Sequence, residues 1–120
     1  MICINFRDPR PIYEQVRDRF RELIISGVLP VGEKLPSVRE LAASLTINPN
    51  TIQRAYRELE QEGYIVSVPG KGSFAALPPE AVEARKAELS EKLRALAKEL
   101  NALGMSGEEI TILIKGADNT

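Results

Sequence analysis

The sequence predicts a mainly α protein with one small β-hairpin, divided into a front domain of residues 1–76 and a helical tail of residues 77–120. Three observations carry that expectation. Leu35 to Gly63 holds two amphipathic stretches, each opened by a capping residue, with only Thr46-Ile47-Asn48 between them. Directly afterwards, the β-rich runs Tyr64–Val68 and Ser73–Ala75 flank Pro69-Gly70-Lys71-Gly72, the pattern of a hairpin with a Gly-rich tip. Beyond Pro78-Pro79, leucines recur at alternating steps of four and three, the mark of a helix with one continuous apolar seam.

Taken in order, the chain opens with Ile2, Ile4 and Phe6 alternating with Cys3 and Asn5, which suggests a short strand or extended arm with Cys3 facing away from the apolar side. Asp8-Pro9-Arg10-Pro11 interrupts it. A helix starts near Pro11 and runs to Ser26, with Gly27 as its stop. Its apolar face is Ile12, Val16, Phe20, Leu23 and Ile24, and Arg17, Asp18, Arg21 and Glu22 stand opposite as a solvated face. A turn-rich connector, Leu29 to Lys34, delivers Leu35, which Pro36 holds in an extended shape suited to a short strand.

The next helix is marked by Ser37-Val38-Arg39-Glu40, a capping box in which Ser37 bonds the Glu40 N–H and the Glu40 carboxylate reaches back to Ser37 N–H. Val38, Leu41, Ala42 and Leu45 form its apolar face. The helix after the turn has Asn48 as N-cap, Pro49 at the first helical position, where no N–H is needed, and Gly63 as a left-handed C-cap. Ile52, Ala55, Tyr56 and Leu59 make one buried face, while Asn50, Thr51, Gln53, Arg54 and Arg57 occupy the start and the opposite face. A helix that is apolar behind and rich in amides and guanidinium groups in front is built to press on something polar. With a short strand at Leu35 added to the hairpin, helix, helix, helix and hairpin make a winged helix-turn-helix, whose second helix is expected in the major groove of duplex DNA. Gln53 can pair with adenine N6 and N7, Asn50 can do the same, and Thr51 suits a phosphate or a thymine methyl group. Arg39, the N–H groups at that helix start and Lys71 on the wing are expected to grip phosphates, with Gly70 and Gly72 allowing close approach.

Composition sets the limits. The chain has 120 residues, no His and one Cys, so it has no internal disulfide and lacks the ligands of a tetrahedral His/Cys metal site. No cofactor is expected. The start has no long apolar run of a signal peptide and no segment approaches a membrane span, which points to a cytoplasmic protein with no membrane partner. Catalysis is disfavoured, since only carboxylates and lysines remain and none is paired in an evident apolar pocket. The 16 Lys and Arg against 17 Asp and Glu give a net charge of −1; residues 1–76 hold 10 basic and 9 acidic side chains, and residues 77–120 hold 6 and 8. With no bulk basic field, DNA affinity has to come from local placement of charge. A protein–protein adaptor is the rival in another class, and the salt dependence of binding separates the two.

The motifs also resemble a known family. Pro11-Ile12-Tyr13-Glu14-Gln15-Val16, Gly27, Gly32, Lys34-Leu35-Pro36-Ser37-Val38-Arg39-Glu40-Leu41-Ala42, Asn50-Thr51-Ile52, Ala55-Tyr56, Leu59, Glu62-Gly63-Tyr64-Ile65 and Gly70-Lys71-Gly72-Ser73-Phe74 look like the DNA-binding domain of GntR-family bacterial transcription regulators. The likeness covers about residues 4–76. It implies operator contacts at Arg39, Asn48, Asn50, Thr51, Gln53 and Gly70. Pro49 and Gln53 depart from the commonest pattern, which has arginine there, so the base preference of those relatives does not carry over.

In the tail, a charged helix is expected from Pro78-Pro79 to about Leu103, with Val82, Leu89, Leu93, Leu96, Leu100 and Leu103 in line and Lys86 interrupting the seam. Gly104 ends it. Ser106-Gly107-Glu108-Glu109 is a second capping box, opening a short helix with Ile110, Leu113 and Ile114 on one side, and residues 116–120 are expected to fray. Two helices of this size cannot bury both stripes alone. The hairpin either packs on its own front domain or pairs with the same hairpin of a second chain; an exposed leucine stripe favours the homodimer, through Leu89, Leu93, Leu96, Leu100, Leu103, Ile110 and Leu113. A short two-helix tail is similar to the YtrA subgroup of the family, which implies a dimeric repressor, often of a transporter operon; a two-fold dimer in turn calls for an inverted-repeat operator. No polar cluster in the tail points to an effector.

Overall fold

A computed structural model describes residues 2–117. The element order is α1 (Ile12–Ile25), α2 (Val38–Leu45), α3 (Pro49–Glu62), β1 (Ile65–Val68), β2 (Gly72–Ala75), α4 (Pro79–Ala102) and α5 (Gly107–Ala117). The chain forms two compact units, residues 1–82 and 83–120, so the first turn of α4 belongs with the front. Local reasons for that are visible: Leu77 packs against the front core, and a Cβ on Gly63 would stand 3.2 Å from Pro78 Cβ. Among the described residues no helix is long and apolar enough to cross a membrane, and no cluster could hold a metal ion.

In the first unit α1, α2 and β1 all pack on α3. The core runs through Val16, Phe20 and Ile24 of α1, Leu35, Leu41 of α2, and Ile52, Ala55, Tyr56 and Leu59 of α3, then Ile65 and Ala75 of the hairpin. Burying each of the larger apolar side chains contributes about 1.5–3 kcal/mol. Phe20 meets the Tyr56 ring edge-on, with centroids 5.7 Å apart, and the Tyr56 hydroxyl donates to the Pro36 carbonyl at 2.7 Å. Burial, with the Glu40 charge behind it, pushes the Tyr56 phenol well above its ordinary pKa, so it stays a neutral donor.

The expected caps are in place. Ser37 Oγ accepts from Glu40 N, and Glu40 Oε1 accepts from Ser37 N. Asn48 Oδ1 accepts from Asn50 N at 2.8 Å, with Pro49 inside the helix start. At the other end Gly63 takes a left-handed φ of 92°, Gly63 N bonds Glu60 O, and Tyr64 N returns to Leu59 O. The short α2–α3 link closes in the same way, but through a β-branched residue. Thr46 has φ 55°, with Thr46 N bonded to Ala43 O and Ile47 N to Ala42 O. The hairpin is antiparallel, with Ile65 opposite Ala75 and Val68 opposite Gly72.

Three sequence expectations need correction. No strand forms at Leu35: a single bridge joins Lys34 to Phe74, supplemented by Leu35 N to Ser73 O and Ala75 N to Glu33 O. The connector turns too soon after Pro36 for more pairs to form. The N-terminal stretch is not a strand either. Ile2 and Ile4 rest on the core, but Phe6 is 75% exposed, because the chain turns at residues 6–7, where Asp8 N bonds Asn5 O. Buried Gln15 takes over the anchoring, accepting from Asn5 N and donating to Asn5 O and Arg10 O. Finally, α5 continues through Gly116 and Ala117; the expected fraying of residues 118–120 lies outside the described residues.

The second unit is the helical hairpin. The Ser106–Glu109 capping box forms as expected. Ion pairs Arg85–Glu88, Lys86–Glu83, Lys92–Glu88 and Arg94–Glu91 line α4 at helical spacing. Ile110 is buried, yet Leu89, Leu93, Leu96, Leu103 and Leu113 are 46–83% exposed, and Leu100 is half-buried.

Candidate nucleic-acid interface

The sequence gives α3 two opposed faces, and the fold uses only one of them. Ile52, Ala55, Tyr56 and Leu59 are at most 5% exposed, whereas Asn50, Gln53 and Arg57 are exposed along the other side. Thr51 is half-buried beside them. At the start of α3, Asn48, Pro49 and Asn50 are all exposed. Asn48 stands apart from its neighbours: its side-chain oxygen is committed to capping, a structural task that position holds whatever else it touches.

The wing is built as its composition requires. Lys71 N bonds Val68 O at 2.9 Å, closing a turn with Pro69 and Gly70 at its centre. Gly70 has φ 75° and Gly72 φ 122°, conformations that side chains with a Cβ resist. Gly72 is also packed against: a Cβ there would lie 2.7 Å from Lys34 Cε, so the Lys34 stem runs over the wing base. Lys34, Ser37, Glu40, Gly70 and Lys71 line one cleft between the wing and the start of α2. The capping box narrows what that helix start can do. Glu40 N is taken by Ser37, and hydrogen bonds from Ser37, with Lys34 nearby, hold the Glu40 carboxyl below the usual carboxylate range, so it stays charged there. The cations lining this cleft are the two lysines, and the helix start beside it is already capped. Arg39 lies on the other side of α2, in a shallow hollow with Ala43, Thr46, Ile47 and Pro49, next to the start of α3.

Electrostatics sorts the cations. Arg17 and Arg21 are not a solvated face: Arg17 Nη1 reaches Glu58 at 2.7 Å and Arg21 Nη2 reaches Glu62 at 2.6 Å, tying α1 to α3. Arg10 pairs with Asp8 and Asp18, and Arg19 with Glu22. Arg54, which the sequence placed with the polar face, stacks 3.7 Å from the Tyr13 ring centroid and bonds Glu58 at 3.4 Å. Among the described residues, Arg7, Lys34, Arg39, Arg57 and Lys71 are exposed and form no such ion pair, although Lys34 lies near the Glu40 carboxylate; Arg39, Arg57 and Lys71 stand on α2, α3 and the wing. The arginines of α1 are thus paired with acids, while Arg39, Arg57 and Lys71 on α2, α3 and the wing are not. Sequence reasoning missed Lys34 because its position over Gly72 is a tertiary contact, and it passed over the difference between Arg54 and Arg57 because both lie on the same half of the helix.

This is a winged helix-turn-helix with an exposed polar helix face, a basic wing tip and a helical tail. The family model for bacterial regulatory proteins of the gntR family matches residues 12–74. The HTH-type transcriptional repressor YtrA of Bacillus subtilis (strain 168) is 38% identical over 117 residues, which span 96% of this chain and 90% of the relative. YtrA from Sulfolobus acidocaldarius, a GntR-family transcription factor, shares the fold with a TM-score of 0.61 at 38% identity, over 80% of this chain and 97% of that one. AraR(DBD) in complex with operator ORX1 matches with a TM-score of 0.56 at 29% identity, over 62% of this chain and 96% of that chain. The chain belongs to the GntR family of bacterial transcription regulators and is similar to YtrA of Bacillus subtilis over nearly its whole length.

Proposed function

We propose that the chain is a homodimeric repressor that reads an inverted-repeat operator in double-stranded DNA. The observation that carries this reading is the two-sidedness of α3, whose apolar face is sealed while Asn50 and Gln53 stand exposed at its leading end. Asn50 and Gln53 are the base readers, Thr51 touches backbone or a thymine methyl group, and Asn48 sets the helix start from which they project. Arg39, Gly70, Lys71 and Gly72 position the domain on phosphates and at the minor groove. The exposed Leu89, Leu93, Leu96 and Leu103, with Leu100 and Leu113, support pairing with a second tail; Ile110 contributes less to it, being largely covered in the single chain. A two-fold pair of readers calls for a two-fold operator. By the resemblance of the tail to the short-tailed subgroup, a transporter operon is the target class.

The test is binding to mixed-sequence duplex at increasing salt. Neutralised phosphates release counterions, so log K should fall linearly with log salt, with a slope of about −0.9 for each phosphate held. Binding that is indifferent to salt, or absent at low salt, removes the reading.

A further inference from the structure

We propose that Arg57 is the phosphate anchor of α3, gripping the DNA backbone at the edge of the groove into which Asn50 and Gln53 reach. The inference rests on the DNA-binding reading above and adds a contact to it. Three observations carry it. Arg57 is exposed and, among the described residues, has no ion pair, although the acid Glu60 follows it three positions on. The other arginine of α3, Arg54, is stacked on Tyr13 and bonded to Glu58, so its charge is already shared. Helical geometry then aligns the free one. At about 100° per residue, Arg57 points within about 20° of Asn50 and about 40° of Gln53, on the centre of the exposed face.

Distance along the helix assigns the contact. With a rise of about 1.5 Å per residue, Gln53 stands about 4.5 Å behind Asn50 and Arg57 about 10.5 Å behind it. The major groove is about 8.5 Å deep. A helix that enters by its N-terminus therefore keeps Asn50 and Gln53 inside the groove, while Arg57 arrives at the lip, where the phosphates are. A guanidinium there presents up to five donors to phosphate oxygens, and a lysine at the same place still supplies the charge. Glu58 and Glu62, the acids nearest this stretch on the other side of the helix, are occupied by Arg17 and Arg21 and so do not draw Arg57 away.

The experiment compares the intact protein with its R57A and R57K variants on a duplex selected by the wild type and on point variants of that duplex, from about 50 to about 200 mM salt. R57A is expected to weaken binding to every duplex alike and to lower the log–log salt slope by about 1. The ratio of wild-type to R57A affinity should then shrink about fourfold across that salt range. R57K is expected to retain most of the wild-type slope, and both variants the wild-type melting temperature. R57A with wild-type affinity and slope, while the wild type itself binds with steep salt dependence, overturns the proposal and leaves the DNA-binding reading standing. So does R57A altering the ranking of duplexes at an unchanged slope. If the wild type binds no duplex in a salt-dependent way, both fall together.

Discussion

At the scale of single residues, the proposed function separates holding from reading at the start of α3. Asn48 caps the helix through Asn50 N, so its loss is first a loss of stability. Asn48→Ala should cost about 1 kcal/mol, which in a domain of this size lowers the melting temperature by about 4–8 °C. Asn48→Asp keeps the cap and suits the positive end of the helix, but brings a negative charge to the face proposed to meet phosphates. It should melt near the wild type and bind duplex more weakly, which a thermal melt and a titration on the same sample would show. Gln53 has no structural task of that kind. Gln53→Ala should leave the melt unchanged and remove about 1–3 kcal/mol of discrimination at one base pair per half-site. An unchanged ranking of operator variants would mean that Gln53 reads no base.

At the scale of elements, the caps were legible in the sequence because each involves residues a few positions apart. Ser37 with Glu40, Asn48 with Asn50, and Gly63 after Glu62 are local chemistry, and all three hold. The brace between α1 and α3 was not legible. Arg17 and Glu58 are 41 positions apart, and nothing in either segment marks them as partners until α1 lies on α3. Phe6 misled for a related reason: the alternation that began at Ile2 ran past the point where the chain leaves the core. The brace has a pH signature. Glu58 is held below the usual carboxylate range, chiefly by the Arg17 hydrogen bond; burial opposes this, and the charge of Arg17 and the hydrogen bond and charge of Arg54 add to the lowering. Its folded pKa is thus lower than its unfolded one. The stability it contributes is complete above the unfolded value and disappears as pH falls through the folded value. Glu58→Gln should lower the melting temperature at neutral pH and narrow the gap to the wild type in acid. An equal gap at all pH values would contradict the assignment.

At the scale of the whole molecule, the question is how a domain without a net basic field holds DNA. The arginines of α1 are paired with acids while Arg39, Arg57 and Lys71 are not, but a handful of phosphate contacts is still weak binding. Linking two copies raises affinity by about 10²–10⁴ with no new kind of contact. The seam from Leu89 to Leu103 was legible as a stripe, and its exposure in the single chain fits a partner tail. The burial of Ile110 was not legible, since its place on the apolar side of α5 is shared by Leu113, which is exposed. Ending the chain after Val82 keeps every residue of the front core and should give a folded monomer whose operator affinity collapses. Leu96→Glu should have the same effect in the full chain by placing a charge in the seam. Sedimentation beside operator titration checks both, and a truncated front that binds as tightly as the whole chain would sink the role given to the tail.

The most direct measurement is selection of bound sequences from a random duplex pool by the intact protein. A two-fold pair of α3 helices predicts an enriched inverted repeat, with half-sites on the order of one helical turn, or a multiple of it, apart. Recovery of no enriched sequence, or of a single unrepeated half-site, would contradict it.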